Sequence, residues 1–218
     1  VVIHWGIEYQ QKQNKKQEEV AQFLFDNGVD IIIGGHPHVL QPMYYYPQTG
    51  LHKEQLVVYS LGNFISNQRK SPSDGGAMVE LTLFKDARGT HIADKGYYLV
   101  WVNRTLKTNK KYLFEILPCK EYETASYKEL SETAKDSMNI FIDNSRKLFK
   151  KNIFIEEKDM IKSYLEDIKR KYEELEKKSK NEKEREELID KYLKIAVKES
   201  LLYSKYGFSF LDTVQEAT

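Results

Sequence analysis

Short apolar runs that stop at glycine punctuate the first 65 residues. Val1-Val2-Ile3 stops at His4-Trp5-Gly6, Val29 to Ile33 stops at Gly34-Gly35-His36, and Leu56 to Leu61 stops at Gly62-Asn63-Phe64. Runs of this length bounded by glycine read as strands. Residues 7–13 are polar and rich in glutamine, which reads as a loop. The period then changes: Val20, Ala21, Phe23 and Leu24, with Phe25 at the margin, make a helical stripe. Asn14 stands at the N-cap with Gln17 at the capping-box position, and Gly28 follows Asn27 as a C′ residue. Strand, helix and strand within about 35 residues form a βαβ unit, which predicts a parallel pair and the α/β class.

After His38, the run from Val39 to Tyr46 is apolar and aromatic, and Pro47-Gln48-Thr49-Gly50 signals a turn. Residues 67–76, with Pro72 and the pair Gly75-Gly76, read as a surface loop. Met78 to Phe84 alternates as a strand does. His91 to Val102 reads as a further strand with a turn around Lys95-Gly96. The loop Ala87-Arg88-Gly89 between them predicts an antiparallel hairpin. From about Ser126 the period is helical, with Tyr127, Leu130, Ala134, Met138, Phe141, Ser145 and Leu148 on one face. Ile161, Tyr164, Ile168, Tyr172 and Leu175 have the spacing of a coiled hairpin. Lys177 to Glu187 is almost entirely charged, and Leu188 to Tyr203 is again amphipathic. The expected division is an α/β part over 1–105 and an all-helical extension over 120–218.

Composition changes this picture little. The charged fraction is 31%, above the usual value of about 25%, and the excess lies in the second half, as expected of solvated helix faces. A net charge of +1 gives no electrostatic case for nucleic acid or an anionic membrane. The single cysteine, Cys119, excludes an internal disulfide framework and a multi-cysteine zinc site. No window approaches the roughly 18 apolar residues of a membrane span, and no signal peptide is visible. The chain opens on Val1, inside what reads as a buried strand, and is expected to be the C-terminal portion of a longer protein.

The candidate chemistry lies at the strand ends. Of five histidines, His4, His36 and His38 follow predicted strands. The C-terminal ends of parallel strands share one edge, where α/β proteins build their sites, and imidazole is the commonest metal ligand. Together these favour a metal site over three histidines each satisfied by backbone. His52 and His91 have no partner in the pattern and read as ordinary polar residues. Asn63 is either a carboxamide facing the site or a turn asparagine tolerating an unusual φ. Glu8 and Tyr9 either line the same edge or are exposed loop residues. Tyr44-Tyr45-Tyr46 reads as a packed edge more than as a platform for a ligand.

Three segments, His4-Trp5-Gly6-Ile7-Glu8-Tyr9, Gly35-His36-Pro37-His38-Val39 with Gln41-Pro42, and Tyr59-Ser60-Leu61-Gly62-Asn63-Phe64, in this order and at these spacings, resemble the CapA family. This is the family of bacterial poly-gamma-glutamate capsule biosynthesis proteins within the calcineurin-like metallophosphatases. The resemblance covers roughly residues 1–100 and leaves the helical extension without a match. It implies the C-terminal part of a four-layer α/β/β/α sandwich. It also implies a divalent metal pair (manganese, iron or zinc) that polarises the scissile group and acidifies a water. His4 and His36 resemble ligands of the second metal and His38 a ligand of the first. Glu8, Tyr9 and Asn63 would stand against the substrate or behind the metals. The superfamily's other ligands, an Asp-x-His, a Gly-Asp and an Asn-His, come earlier than any residue here, so the pair is incomplete in this chain.

The implied function is capsule biosynthesis, with a metal-dependent hydrolase acting on a phosphoester or an amide when the protein is full length. The alternative is a non-catalytic cell-surface protein that binds, exports or anchors an anionic polymer. A truncated product without function is the third possibility. The implied partner is an anionic polymer or phosphoester substrate and not a nucleic acid. The implied location is the bacterial cell surface, with any membrane anchor in a preceding segment.

Overall fold

Three of the glycine-terminated runs are neighbouring parallel strands. In the computed structural model, β1 (Val2–His4) pairs in parallel with β2 (Ile31–Gly35), and β2 with β4 (Gln55–Leu61). Strand β3 (Leu40–Tyr46) returns antiparallel along β4, giving the sheet order β1-β2-β4-β3. The structure describes residues 1–50, 53–87, 89–124, 130–152, 154–160, 163, 166, 167 and 170. The chain divides into two units, one of Val1–Cys119 with Ser131–Lys158 and one of Lys120–Leu130 with Asp159–Thr218.

Helix α1 (Lys15–Asp26) connects β1 to β2 as the βαβ pattern predicts. Its N-terminus carries the full capping box. Gln17 N–H donates to Asn14 Oδ1 at 2.9 Å, and Asn14 N–H donates to Gln17 Oε1 at 3.0 Å. Such a cap satisfies two of the helix's orphan donors. The helix packs on one sheet face through Ala21 against Ile32, Val57 and Tyr59, with Ile3, Trp5, Leu24 and Phe25 around them. Alternation along β4 sends Leu56 and Val58 to the other face, where they are fully buried.

A second, antiparallel sheet follows: β5 (Gly75–Asp86), β6 (Gly89–Leu106) and β7 (Tyr112–Pro118), with the short β8 (Glu156–Glu157) parallel to β6. The β5–β6 hairpin is the predicted one. The turn expected at Lys95-Gly96 does not form, because β6 runs straight through it. Gly96 is bare for another reason: a Cβ there would lie 2.4 Å from Cε of Lys158, whose stem crosses the strand. The loop expected at 67–76 is also not wholly a surface. Ser73 and Asp74 are buried, and Gly75-Gly76 already belong to β5. Asp74 Oδ2 accepts from the indole of the buried Trp101 at 2.9 Å, which draws the loop inward.

Helix α3 (Glu132–Phe149) buries Met138, Phe141, Ile142, Ser145 and Phe149. The buried stripe is rotated slightly from the expected one, taking in Ile142 and Phe149, while Leu148 is only half-buried. This helix falls within 120–218, yet it packs in the first unit. The ring of Phe149 stands edge-on to Tyr97 of β6 at 4.8 Å, and a Cβ on Gly75 would strike Phe141. Periodicity marks a helix's buried face but not what covers it. In the second unit, α2 (Cys119–Thr124) carries the buried Glu121, whose carboxylate accepts from the Met160 backbone. Arg88, His52, Tyr127, Ile161, Tyr164, Ile168, Tyr172 and Leu175 lie outside the described residues, as do the run Lys177–Glu187 and the segment Leu188–Tyr203.

Candidate metal centre

The parallel register sets His4 opposite Gly35, so the ends of β1 and β2 finish level. The chain leaving β1 is then tied across the chain leaving β2. Trp5 N–H donates to Gly35 O at 3.1 Å and Tyr9 N–H to Pro37 O at 2.7 Å. The Trp5 indole N–H reaches Tyr59 O of β4 at 2.8 Å, directly above Gly34. A Cβ on Gly34 would lie 2.4 Å from that indole nitrogen and 2.3 Å from the Tyr59 oxygen. Glycine at 34 is therefore a requirement of close approach, beyond turn formation.

The loop between β1 and α1 rests on two buried glutamines. Gln17 Nε2 donates to Gln41 Oε1 at 2.8 Å, and Gln41 Nε2 donates to Gln10 O at 2.8 Å and Lys12 O at 3.3 Å. Gly6, at φ +88°, passes over the Gln17 amide, where a Cβ would come within 2.9 Å. The capping-box glutamine of α1 thus also holds the loop that carries Glu8 and Tyr9. The sequence marks Gln17 as a cap and gives no sign of its second role.

Glu8, His36 and His38 each offer a ligand atom, and these atoms lie within 4.8 Å of one another. It is the one such group of three among the described residues. The rings of His36 and His38 are 6.0 Å apart. His4 packs against His36, ring centroids 4.3 Å apart, but is outside that group. Tyr9 stacks on His38 at 6.0 Å, and its hydroxyl accepts from Gln68 Nε2 at 3.4 Å. The backbone here is strained: φ is +64° at Tyr9, +104° at His36 and +59° at His38. Non-glycine residues in this region cost on the order of 1–3 kcal/mol each and persist where surrounding structure over-determines them.

Asn63 completes the arrangement from just beyond the end of β4. Its Nδ2 donates to Ser73 O at 2.8 Å and to Gln68 Oε1 at 3.1 Å. That fixes which end of the amide is oxygen, and this oxygen lies 3.2 Å from His38 Nδ1. An oxygen acceptor requires Nδ1 to carry the proton. The other His38 nitrogen, Nε2, faces Glu8 Oε1 at 3.7 Å. The unusual backbone at this junction belongs to Gly62, at φ +70°, and not to Asn63. The Tyr triplet packs instead of facing the site. Tyr44 contacts Tyr59, and Tyr45 donates to Glu54 at 2.7 Å. Burial, then Glu54, pushes the Tyr45 hydroxyl up to about 12. His91 lies on β6 beside Glu54 and Asp86, apart from the cluster.

Two imidazoles and a carboxylate fit a divalent cation of the zinc, iron or manganese kind, with positions left for water or substrate. A hydrogen bond donated by the far ring nitrogen, here to the Asn63 carboxamide oxygen, is the support that metal-binding histidines ordinarily carry. Beside His4, a cavity of 650 Å³ runs along Val2, Ile33, Leu61, Phe64 and Met78.

Residues 1–68 match the family model described as bacterial capsule synthesis protein PGA_cap. The chain is 40% identical over 89 residues to the PGA biosynthesis protein CapA of Bacillus subtilis (strain 168), covering 41% of this chain and 22% of that protein. It is 39% identical over 94 residues to the capsule biosynthesis protein CapA of Bacillus anthracis, covering 43% and 21%. The chain spans about a fifth of the length of these relatives. No solved structure matches.

Proposed function

We propose, taking residues 1–68 as a CapA-family segment, that the protein serves bacterial capsule biosynthesis as a metal-dependent hydrolase. The observation that carries this reading is the convergence of Glu8, His36 and His38 at the ends of parallel strands. A bound divalent cation would supply Lewis-acid polarisation of a phosphoester or amide and an acidified water. The chain's own residues do the rest. Asn63 holds the tautomer of His38, Gln41 and Gln17 hold the Glu8 loop, and Tyr9 covers one side of His38. Exposure of Glu8 and Tyr9 leaves that side open to an anionic polymer or phosphoester.

In this reading the β1-β2-β4-β3 sheet is one of the two central sheets of a four-layer sandwich. Strand β1 is at its edge, with Val2 87% exposed, and it takes its further neighbour from residues outside this chain. The remaining ligands of a metal pair come from there as well. The proposed location is the cell envelope; among the described residues, no helix is long and apolar enough to cross a membrane. The alternative is a non-catalytic polymer-binding role, which the exposure of Glu8 and Tyr9 on the open side of the cluster also suits.

The test uses the protein as its gene encodes it, with metal content and hydrolysis of poly-gamma-glutamate and of a phosphodiester measured together. His36→Ala and His38→Ala are each expected to lose bound metal and turnover. Turnover and metal content indifferent to both changes sink the hydrolase reading. Lost metal with no turnover in any form leaves the polymer-binding role.

A further inference from the structure

A cavity of 530 Å³ lies between helix α1 and strands β3 and β4, and it shares no residue with the metal centre. Its walls are aromatic. Tyr44 and Tyr46, two positions apart on β3, share one face of the sheet, and Tyr59 of β4 and Phe25 of α1 join them. Tyr44 lies within 26° of parallel to Tyr46 but at 78° to Tyr59, and Phe25 stands at 81° to Tyr46. The wall is therefore a corner and not a flat stack. Packing accounts for Tyr59, which is 4% exposed, but not for Tyr46, which is 46% exposed. Among the described residues, none of the three tyrosine hydroxyls has a hydrogen-bond partner.

The polar groups around the cavity are biased toward acceptors. Gln13 Nε2 donates to Glu18 Oε1 at 3.0 Å, and Gln22 Nε2 donates to Asp26 Oδ1 at 2.8 Å. These bonds fix which end of each amide is oxygen. The donor ends are turned to acids of the helix itself, and the carbonyl oxygens remain. Gln13 Oε1 is buried without a partner, a state that a donor from outside would relieve. Glu18, bonded to Gln13, sets a carboxylate close to that carbonyl. Burial first, then neighbouring tyrosine and Glu18, raise the Tyr46 and Tyr59 hydroxyls above the ordinary phenol range. The rings are therefore neutral, and Glu18 is the anion of the lining. Neutral aromatic faces themselves attract a cation. Lys53, exposed, is the cation that borders the cavity among the described residues.

We propose that the cavity between α1 and β3 binds a primary ammonium carried on an apolar stem, the chemistry of an alkylamine or a lysine side chain. Glu18 and the Gln13 carbonyl receive its N–H donors, and the tyrosine rings flank the stem. A carboxylate would bring acceptors to acceptors, and a neutral polyol would leave the charge of Glu18 unmatched. The site is independent of the metal centre and stands or falls without it.

The experiment is binding of n-butylammonium to the protein as its gene encodes it, followed by NMR. 1-Butanol and butyrate serve as neutral and anionic probes of the same shape. A Kd of about 1 mM is expected for so small a ligand, with neither control probe saturating. Glu18→Gln is expected to weaken binding by at least about tenfold, as the loss of a hydrogen bond to a charged group does. Tyr46→Leu is expected to weaken it about two- to fivefold, and Tyr46→Phe, which keeps the ring, by less. Lys53→Met removes a competing charge and is expected to tighten binding, while added salt weakens it in the parent. Nα-acetyl-lysine methylamide distinguishes the sources: tighter binding than butylammonium assigns a peptide-borne lysine, and weaker binding a free amine. Circular dichroism checks that the variants fold. Equal binding of 1-butanol, parent-like affinity in Glu18→Gln, or no saturable binding of any probe each overturns the ammonium site. His36→Ala is expected to leave butylammonium affinity unchanged, so a failure here does not touch the metal reading.

Discussion

Asn63 serves two neighbours with one carboxamide. Its nitrogen ties the loop before β5 through Ser73 and Gln68, and its oxygen sets the His38 tautomer. Asn63→Ala leaves the buried Ser73 carbonyl short of a donor, at a cost of about 1–3 kcal/mol. It also frees the ring. In nitrogen NMR of the metal-free protein, His38 should pass from a single Nδ1–H tautomer to a mixture, with metal affinity falling about 10- to 100-fold. A variant that loses stability but keeps the tautomer would make Asn63 a packing residue only. The sequence left two readings for this residue; the positive φ sits on Gly62 and not on Asn63, whose side-chain oxygen reaches His38. Glu8 was legible only as a residue near the edge, because the approach of its carboxylate depends on a buried glutamine pair 24 positions apart.

Among the elements, those set by local rules were the legible ones. The Asn14–Gln17 box, the α1 stripe and the three strand-to-glycine junctions need only near neighbours, and the structure contains all of them. Strand β7 and helix α2 carry no strong period and were missed. Gly96 misled because a glycine within a strand pattern signals a turn unless something must cross it. Here Lys158 crosses and pairs with Glu80 at 2.5 Å and Asp94 at 2.6 Å. Burial works against ionising Glu80, but hydrogen bonds from Lys158 and Tyr98 hold its pKa below the ordinary value. Asp94 is lowered chiefly by its Lys158 hydrogen bond. Both folded pKa values are depressed. Their contribution is therefore complete above the ordinary carboxylate range of about 4 and is lost as pH falls through the depressed values. Burial disfavours charge on Lys158, yet the two carboxylates raise its pKa, so its share is lost only at high pH. Gly96→Ala should displace the lysine stem and flatten the acid limb of stability against pH, as Lys158→Met would. Urea denaturation from pH 7 to 3 measures this, and a parent-like acid limb in both variants refutes it.

At the scale of the molecule, the first unit joins a mixed, mostly parallel sheet to an antiparallel one, with α3 packed among their strands. The α/β class was legible, while the placement of α3 in this unit was not. Strain is distributed unevenly across the unit. Among the described residues, four non-glycine positions have positive φ, and Tyr9, His36 and His38 are three of them. All three lie within a few ångströms of the candidate metal centre, while most of the framework is in ordinary conformations. Durability and ligation therefore pull against each other at these positions. His36→Gly relaxes a φ of +104° that glycine adopts freely, and the metal-free variant is expected to melt at or above the parent's temperature while binding less Co²⁺. A lower melting temperature would mean that the His36 ring contributes more through packing against His4 than its backbone costs. The more stable chain would be the one that has given up its ligand.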